Sequence, residues 1–171
     1  MLRIAVCDDE EQYVQQTANF VQEYLRRHPE LSGQVHTFQR GQELLCQVEE
    51  DGGFDLYLLD IIMPGLNGIQ TGQQLRELGN GGEIIYLTTS SDYAVDSYSV
   101  RAFFYLLKPI EQERLFEVLD AAVKKLSHRR QKAVLITTRE GPRRILLDQI
   151  LYVERVGRSL RYYCSNGTVD S

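Results

Sequence analysis

The chain has 171 residues, 43% of them hydrophobic, with 24 acidic and 19 basic side chains and a formal net charge of −5. That length holds one ordinary domain and part of another, and the apolar content is too high for a disordered chain. No apolar run approaches the roughly 20 residues of a membrane helix. No charged n-region or cleavage site precedes the first strand, so the expectation is a soluble cytoplasmic protein with no membrane partner.

An apolar strand, Leu2 to Cys7, opens the chain and breaks into Asp8, Asp9 and Glu10. From about residue 10 to 27, Tyr13, Val14, Thr17, Phe20, Val21, Tyr24 and Leu25 recur at helical spacing, and Pro29 and Gly33 end that element. Gln34 to Phe38 alternates as a short, polar strand, and Leu44, Leu45 and Val48 mark one face of a second helix. Phe54 to Leu59 is a third strand, ending in Asp60. The loop Pro64-Gly65-Leu66-Asn67-Gly68 leads to a helix marked by Ile69, Leu75 and Leu78, which Gly79-Asn80-Gly81-Gly82 stops. A fourth strand, Ile84 to Leu87, meets Thr88 and Thr89. Ser91 to Val100 is short and weakly patterned. Ala102 to Leu107 is a fifth strand before Lys108-Pro109, and a last helix covers about 111 to 126.

Strands separated by helical crossovers demand a mostly parallel sheet with helices on both faces. The expected fold is α/β, a (βα)₅ flavodoxin-like sheet in the order 2-1-3-4-5. Strands one, three, four and five read as buried on both sides, and strand two as an edge. This first domain is taken as residues 1–125, and 126–131 as a linker because Ser127-His128-Arg129-Arg130-Gln131 breaks the pattern. Residues 132–171 then read as strands: Ala133 to Thr138, Arg143 to Leu147, Ile150 to Glu154 and Leu160 to Cys164, with turns at Glu140-Gly141-Pro142 and Ser165-Asn166-Gly167-Thr168. About forty residues of β ribbon make a poor core alone, so this mostly β unit is expected to be incomplete.

Charge follows the same division. Residues 1–125 carry 20 acidic and 10 basic side chains, and residues 126–171 carry 4 and 9. The first part suits cations and repels nucleic acid. The second suits a phosphate backbone, or equally a solvated basic surface. Cys7, Cys46 and Cys164 form no C-x-x-C pair and read as free thiols.

In an open parallel sheet, ligands bind beyond the carboxyl ends of the strands. Four of those ends carry Asp8 and Asp9, Asp60, Thr88, and Lys108. Each has an ordinary structural explanation: the aspartates as helix caps, Thr88 as a strand former, Lys108 as a side chain that snorkels to solvent. Together they are the groups that phosphoryl transfer to a carboxylate needs. Paired carboxylates bind a hard cation such as Mg²⁺, a third acts as nucleophile, and a hydroxyl and an ammonium face the transferring group.

Asp8-Asp9, Asp60-Ile61-Ile62-Met63-Pro64-Gly65-Leu66-Asn67-Gly68, Leu87-Thr88 and Tyr105-Leu106-Leu107-Lys108-Pro109 closely resemble the receiver domain of bacterial two-component response regulators. The resemblance implies that Asp60 accepts a phosphoryl group from the phosphohistidine of a sensor histidine kinase. It implies Mg²⁺ on Asp8, Asp9, Asp60 and the carbonyl of Ile62, Lys108 on the phosphoryl group, and Thr88 and Tyr105 as switch residues. Such a protein is a phosphoacceptor rather than an enzyme in the usual sense. Two positions depart from the pattern: Thr89 is larger than usual and is expected to restrict water, and Phe104 stands where aspartate is common and suits a docking surface.

Ile150-Leu151-Tyr152-Val153-Glu154-Arg155-Val156-Gly157-Arg158-Ser159-Leu160-Arg161 resembles the start of a LytTR-type DNA-binding domain. That likeness implies DNA contacts at Arg155, Arg158, Ser159 and Arg161. From the receiver switch residues, the expectation is a homodimer formed on phosphorylation through the fourth helix, fifth strand and fifth helix, where Tyr98, Arg101, Arg114 and Glu117 fall. The alternative is a stand-alone receiver acting by protein contacts alone. A haloacid dehalogenase-type phosphatase needs a second acid two residues after its nucleophile, and Ile62 stands there. A nucleotide-binding domain needs a glycine-rich phosphate loop after the first strand, and none follows it.

Overall fold

Apolar side chains run almost unbroken through β1 (Leu2–Cys7), which leads into α1 (Glu11–Arg27). Then come β2 (Gly33–Phe38), α2 (Gly41–Asp51), β3 (Leu56–Leu59), α3 (Gly68–Glu77), β4 (Glu83–Thr88), the single turn α4 (Ala94–Ser97), β5 (Phe104–Leu107) and α5 (Gln112–Gln131). This computed structural model describes residues 1–171, apart from the side chains of Arg130 and Gln131. The five strands pair in parallel in the order β2-β1-β3-β4-β5, the arrangement expected from the sequence. Leu56, Leu58, Ile84 and Ile85 on the central strands are fully buried, and each such side chain contributes roughly 1.5–3 kcal/mol.

Three details differ from the sequence reading. β5 is the second edge of the sheet, as the order 2-1-3-4-5 requires, so the strand is not buried on both sides: Leu107 is exposed, and Phe104 is exposed as a docking aromatic would be. The weakly patterned segment after β4 yields only one helical turn. Helix α5 runs to Gln131, past the Leu126 at which apolar periodicity ends. The expected linker over 126–131 is therefore helical backbone, and its last two side chains lie outside the described residues. By packing, the chain divides into Met1–Ala122 and Val123–Ser171.

Arg76 ties the end of α3 to its surroundings. Its Nε donates to the Val100 carbonyl (2.8 Å), and Nη1 donates to the carbonyls of Asn80 (2.8 Å) and Gly82 (2.7 Å). Burial lowers the guanidinium's proton affinity, opposed by nearby Glu83, but arginine stays charged at any working pH. Nη2 donates a longer bond to the Arg101 carbonyl (3.4 Å), so Arg76→Ala leaves four carbonyls to find other partners and is expected to cost about 2–4 kcal/mol in denaturant unfolding.

The second unit contains β6 (Ala133–Thr138), β7 (Gly141–Leu146), a 3₁₀ turn at Leu147–Gln149, β8 (Ile150–Val156), β9 (Ser159–Cys164) and β10 (Gly167–Asp170). β6 and β7 form one antiparallel hairpin, and β10-β9-β8 a three-stranded antiparallel sheet. Ile136, Ile145 and Cys164 make a small shared core, while Leu151, Tyr152, Val153 and Val156 of β8 are exposed. Pro142, expected in a turn, opens β7 opposite Thr137. The three cysteines are free thiols. Among the described residues no helix is long and apolar enough to cross a membrane.

Candidate functional site

Strand register brings the site together. Cys7 stands opposite both Phe38 and Leu59, Leu59 opposite Tyr86, and Thr88 opposite Leu107. Residues just past the strands extend the ladder. The Asp60 N–H donates to the Cys7 carbonyl (2.8 Å), the Lys108 N–H to the Thr88 carbonyl (2.8 Å), and the Asp8 N–H to the Phe38 carbonyl (3.2 Å). Side chains at these positions therefore share one edge of the sheet. The Lys108–Pro109 peptide bond is cis.

Lys108 Nζ lies 2.5 Å from Asp8 Oδ2 and 3.6 Å from Asp60 Oδ2, and all three side chains are under a tenth exposed. Asp8 Oδ1 accepts the Glu10 N–H at 3.0 Å. Asp60 Oδ1 accepts the Ile61 N–H at 2.8 Å, with the Ile62 N–H farther off at 3.4 Å. Carboxylate oxygens of Asp8, Asp9 and Asp60 lie within 4.8 Å of one another, Asp9 being the most open of the three. Burial raises the Asp60 pKa, the Lys108 ammonium opposes the rise, and the Asp8 carboxylate adds to it. The cluster thus holds three carboxylates and one ammonium, which touches two of them, an excess of negative charge at a largely buried edge. All the donors are oxygen, and a hard divalent cation fits that set.

Around this cluster stand three further groups. Thr88 is fully buried, and its Oγ1, near enough to Asp60 to lower that carboxyl's proton affinity, finds no hydrogen-bond partner at ordinary distance among the described residues. Tyr105 is half-buried, its ring centroid 6.4 Å from that of Tyr86 and its hydroxyl donating to the Ser90 carbonyl. Tyr13 on α1 places its ring centroid 3.9 Å from Lys108 Nζ. Behind the site, burial first and then Asp8 push the Cys7 thiol up to about 12, so it is no nucleophile at neutral pH.

Below Asp60 the chain turns tightly. The Gly68 N–H donates to the Ile61 carbonyl (2.9 Å), and the Tyr86 hydroxyl donates to the Gly68 carbonyl (2.9 Å). Asn67 and Gln70 form a reciprocal cap on α3. Asn-x-x-Gln is the sequence signature of this support; Gly68 falls in the receiver-like motif after Asp60, whereas nothing in the sequence ties Tyr13 to the site.

Of the residues expected to act together, Asp8, Asp9, Asp60, Thr88 and Lys108 lie at one edge. Ile62 is exposed two residues after Asp60, and Thr89 is exposed after Thr88. Arg155, Arg158, Ser159 and Arg161 belong to the second unit and flank the β8–β9 turn, where Val156 pairs with Ser159. Arg158 and Ser159 are exposed there. Arg155 Nε donates to the Gly157 carbonyl (3.2 Å), and Arg161 is held by both carboxylate oxygens of Asp170 (2.7 and 2.9 Å).

Residues 4–120 match the family of the response regulator receiver domain. The sensory transduction protein LytT of Oceanobacillus iheyensis is 28% identical over 151 residues, covering 78% of this chain and 61% of that protein. The sensory transduction protein LytR of Streptococcus agalactiae is 30% identical over 128 residues, covering 74% of this chain and 49% of that protein. The chain thus spans about half to three-fifths of these relatives. Among solved structures, the response regulator TrrA of Thermotoga maritima in complex with Mg²⁺-BeF is 31% identical with a TM-score of 0.58, covering 74% of this chain and 99% of that one. With the parallel five-stranded sheet and its acidic edge, these likenesses establish that the chain belongs to the response regulator receiver family of two-component systems, among relatives of the LytT and LytR type.

Proposed function

We propose that Asp60 accepts a phosphoryl group from the phosphohistidine of a sensor kinase. The observation that carries this reading is the meeting of the Asp60 carboxylate, the Lys108 ammonium and the unpartnered Thr88 hydroxyl at one strand edge. An Asp60 oxygen attacks phosphorus in line, and an O–P bond forms. The P–N bond to the kinase histidine breaks, and its electron pair stays on the imidazole, which takes a proton from solvent. Lys108 offsets the charge on the transferring oxygens. Asp8, Asp9, Asp60 and the carbonyl of Ile62 would hold Mg²⁺, which when bound supplies further positive charge toward those oxygens.

The new phosphoryl oxygens give the Thr88 hydroxyl a partner and draw it toward Asp60. Tyr105 packs beside Tyr86 half-buried, with its hydroxyl on Ser90, and a withdrawn Thr88 leaves room for its ring to turn farther inward. The surface these residues bias is α4–β5–α5. Tyr98, Arg101, Phe104 and Val95 are exposed there, Arg114 stands 5.3 Å over the Phe104 ring, and Arg114 also pairs with Glu117 at 2.8 Å. Phosphorylation favours a homodimer through that face. In a protein as long as its LytT and LytR relatives, the dimer would present two LytTR-type modules, with Arg155, Arg158, Ser159 and Arg161 at or near DNA, to control transcription.

With acetyl phosphate and Mg²⁺, the chain is expected to gain about 80 Da by intact mass and to sediment as a dimer. An absent adduct overturns the acceptor, and an adduct with unchanged sedimentation overturns the dimer. A gel shift comparing residues 1–125, this chain and a longer clone separates DNA binding from action through protein contacts alone.

A further inference from the structure

We propose that Tyr13 positions the Lys108 ammonium for phosphoryl transfer, an inference that rests on the phosphoacceptor reading above. The first turn of α1 is fixed to the site it overlooks. The N–H groups of Tyr13 and Val14 donate to the Glu10 carbonyl at 3.0 and 3.1 Å, and the Glu10 N–H donates to Asp8 Oδ1 at 3.0 Å. The other oxygen of that same Asp8 carboxylate holds Lys108. Ring and ammonium are therefore located by one aspartate.

Helical spacing marks Tyr13 as a core residue, but its environment does not. Val14 and Thr17 on the same helix are buried, whereas Tyr13 is only half-buried. Its ring face instead lies over Nζ, with the centroid 3.9 Å away. Asp8 at 2.5 Å and Asp60 at 3.6 Å take other approaches to the same ammonium.

This arrangement solves a specific problem. Lysine is a point charge on a flexible four-carbon stem, and the carboxylates beside it compete for it. The negative face of an aromatic ring attracts the ammonium without accepting a directed hydrogen bond. It restrains Nζ while leaving its protons free for phosphoryl oxygens. Lys108 faces those oxygens when the group arrives and when it leaves. On departure, water attacks phosphorus and the Asp60 O–P bond breaks. Its electron pair returns to the carboxylate, and inorganic phosphate departs with the water oxygen. A displaced ammonium slows both steps.

The test uses the whole chain as wild type, Tyr13→Phe and Tyr13→Leu. Without any phosphoryl donor, the Lys108 Cε proton resonances report the ring directly, because protons above a ring face are displaced upfield. Wild type and Tyr13→Phe are expected to share the displaced signals, and Tyr13→Leu to lose them. With acetyl phosphate and Mg²⁺, Tyr13→Phe is expected to keep wild-type rates. Tyr13→Leu is expected to slow both phosphorylation and hydrolysis about tenfold.

Ordinary Lys108 shifts in wild type overturn the proposal even if Tyr13→Leu does not fold. So does a Tyr13→Phe protein as slow as Tyr13→Leu, which would make the hydroxyl the working group. Faster hydrolysis in Tyr13→Leu also overturns it, since the ring would then only shed water. A wild type that gains no phosphoryl group brings down the phosphoacceptor reading and the positioning role together, whereas normal wild-type phosphorylation with unmoved Lys108 signals in Tyr13→Leu overturns the positioning role alone.

Discussion

Asp60→Asn is expected to abolish phosphoryl acceptance and to make the protein more stable. The first effect follows from chemistry: an amide oxygen is no nucleophile toward phosphorus, so the gain of about 80 Da disappears. The second follows from the surroundings of the carboxylate. Asp60 is 5% exposed, and burial raises its pKa more strongly than Lys108 lowers it, with Asp8 pushing in the same direction as burial. The charged form is thus disfavoured in the folded state relative to the unfolded chain. A neutral side chain of the same shape relieves that cost and can still accept the Ile61 N–H. The expected gain is about 1–2 kcal/mol, or about 3–6 °C in Tm for a domain of this size. Thermal melts in the presence of a chelator check it. Added Mg²⁺ should narrow the difference, because a cation bound to the three proposed carboxylates would stabilise the native state of wild type by mass action. A variant that melts below wild type in chelator would show that the Lys108 attraction outweighs burial and repulsion.

Gly68→Ala is expected to damage both stability and phosphorylation, although residue 68 carries no chemistry. A Cβ there would stand 2.1 Å from the Asp60 carbonyl oxygen, 2.7 Å from Ile61 Cα and 2.9 Å from Asp60 C. These are backbone atoms of the acceptor and its neighbour, so no flexible side chain can swing aside. The Asp60 segment must move, or the start of α3 must, which strains the Gly68 N–H bond to Ile61 and the Tyr86 hydroxyl on the Gly68 carbonyl. The expected cost is about 2–4 kcal/mol, with phosphorylation by acetyl phosphate slowed roughly a hundredfold by misplacement of the nucleophile. Gly65→Ala is the matched control. Its φ is +76°, but nothing lies within 4 Å of its Cβ, so it should cost about 1–2 kcal/mol of backbone strain and leave the phosphorylation rate near wild type. Equal rates in the two variants would refute the argument from close approach.

Much of this was legible in the sequence because the signals are local and periodic. Four apolar runs ending in Asp8, Asp60, Thr88 and Lys108 fixed the strand ends, and parallel pairing left little freedom in where those ends could meet. The extra turns of α5 are not legible in the sequence, because Ser127-His128-Arg129 present no apolar stripe, Ser and His are weak helix formers, and a solvated helix leaves no mark on hydrophobic periodicity. Leu107 reads as core because an apolar run looks the same on an edge strand as on a central one. Tyr13 shows the limit most clearly. Its helical spacing was read correctly, yet spacing cannot distinguish a ring that packs against leucine from one that covers an ammonium. Gly68 reads as a loop glycine at the end of the receiver-like motif, but its need for a missing Cβ is invisible there, since the atoms it approaches belong to a segment it meets through the fold.

The chain has ten tyrosines and no tryptophan. Tyr13 lies against Lys108, Tyr105 is close enough to Asp60 to feel its charge, and Tyr86 adjoins Tyr105. Phenol emission is sensitive to nearby carboxylates and to hydrogen bonding of the hydroxyl. Intrinsic fluorescence of the unlabelled molecule therefore draws part of its signal from the few side chains around Asp60, and it would report cation binding or phosphorylation there with no dye attached.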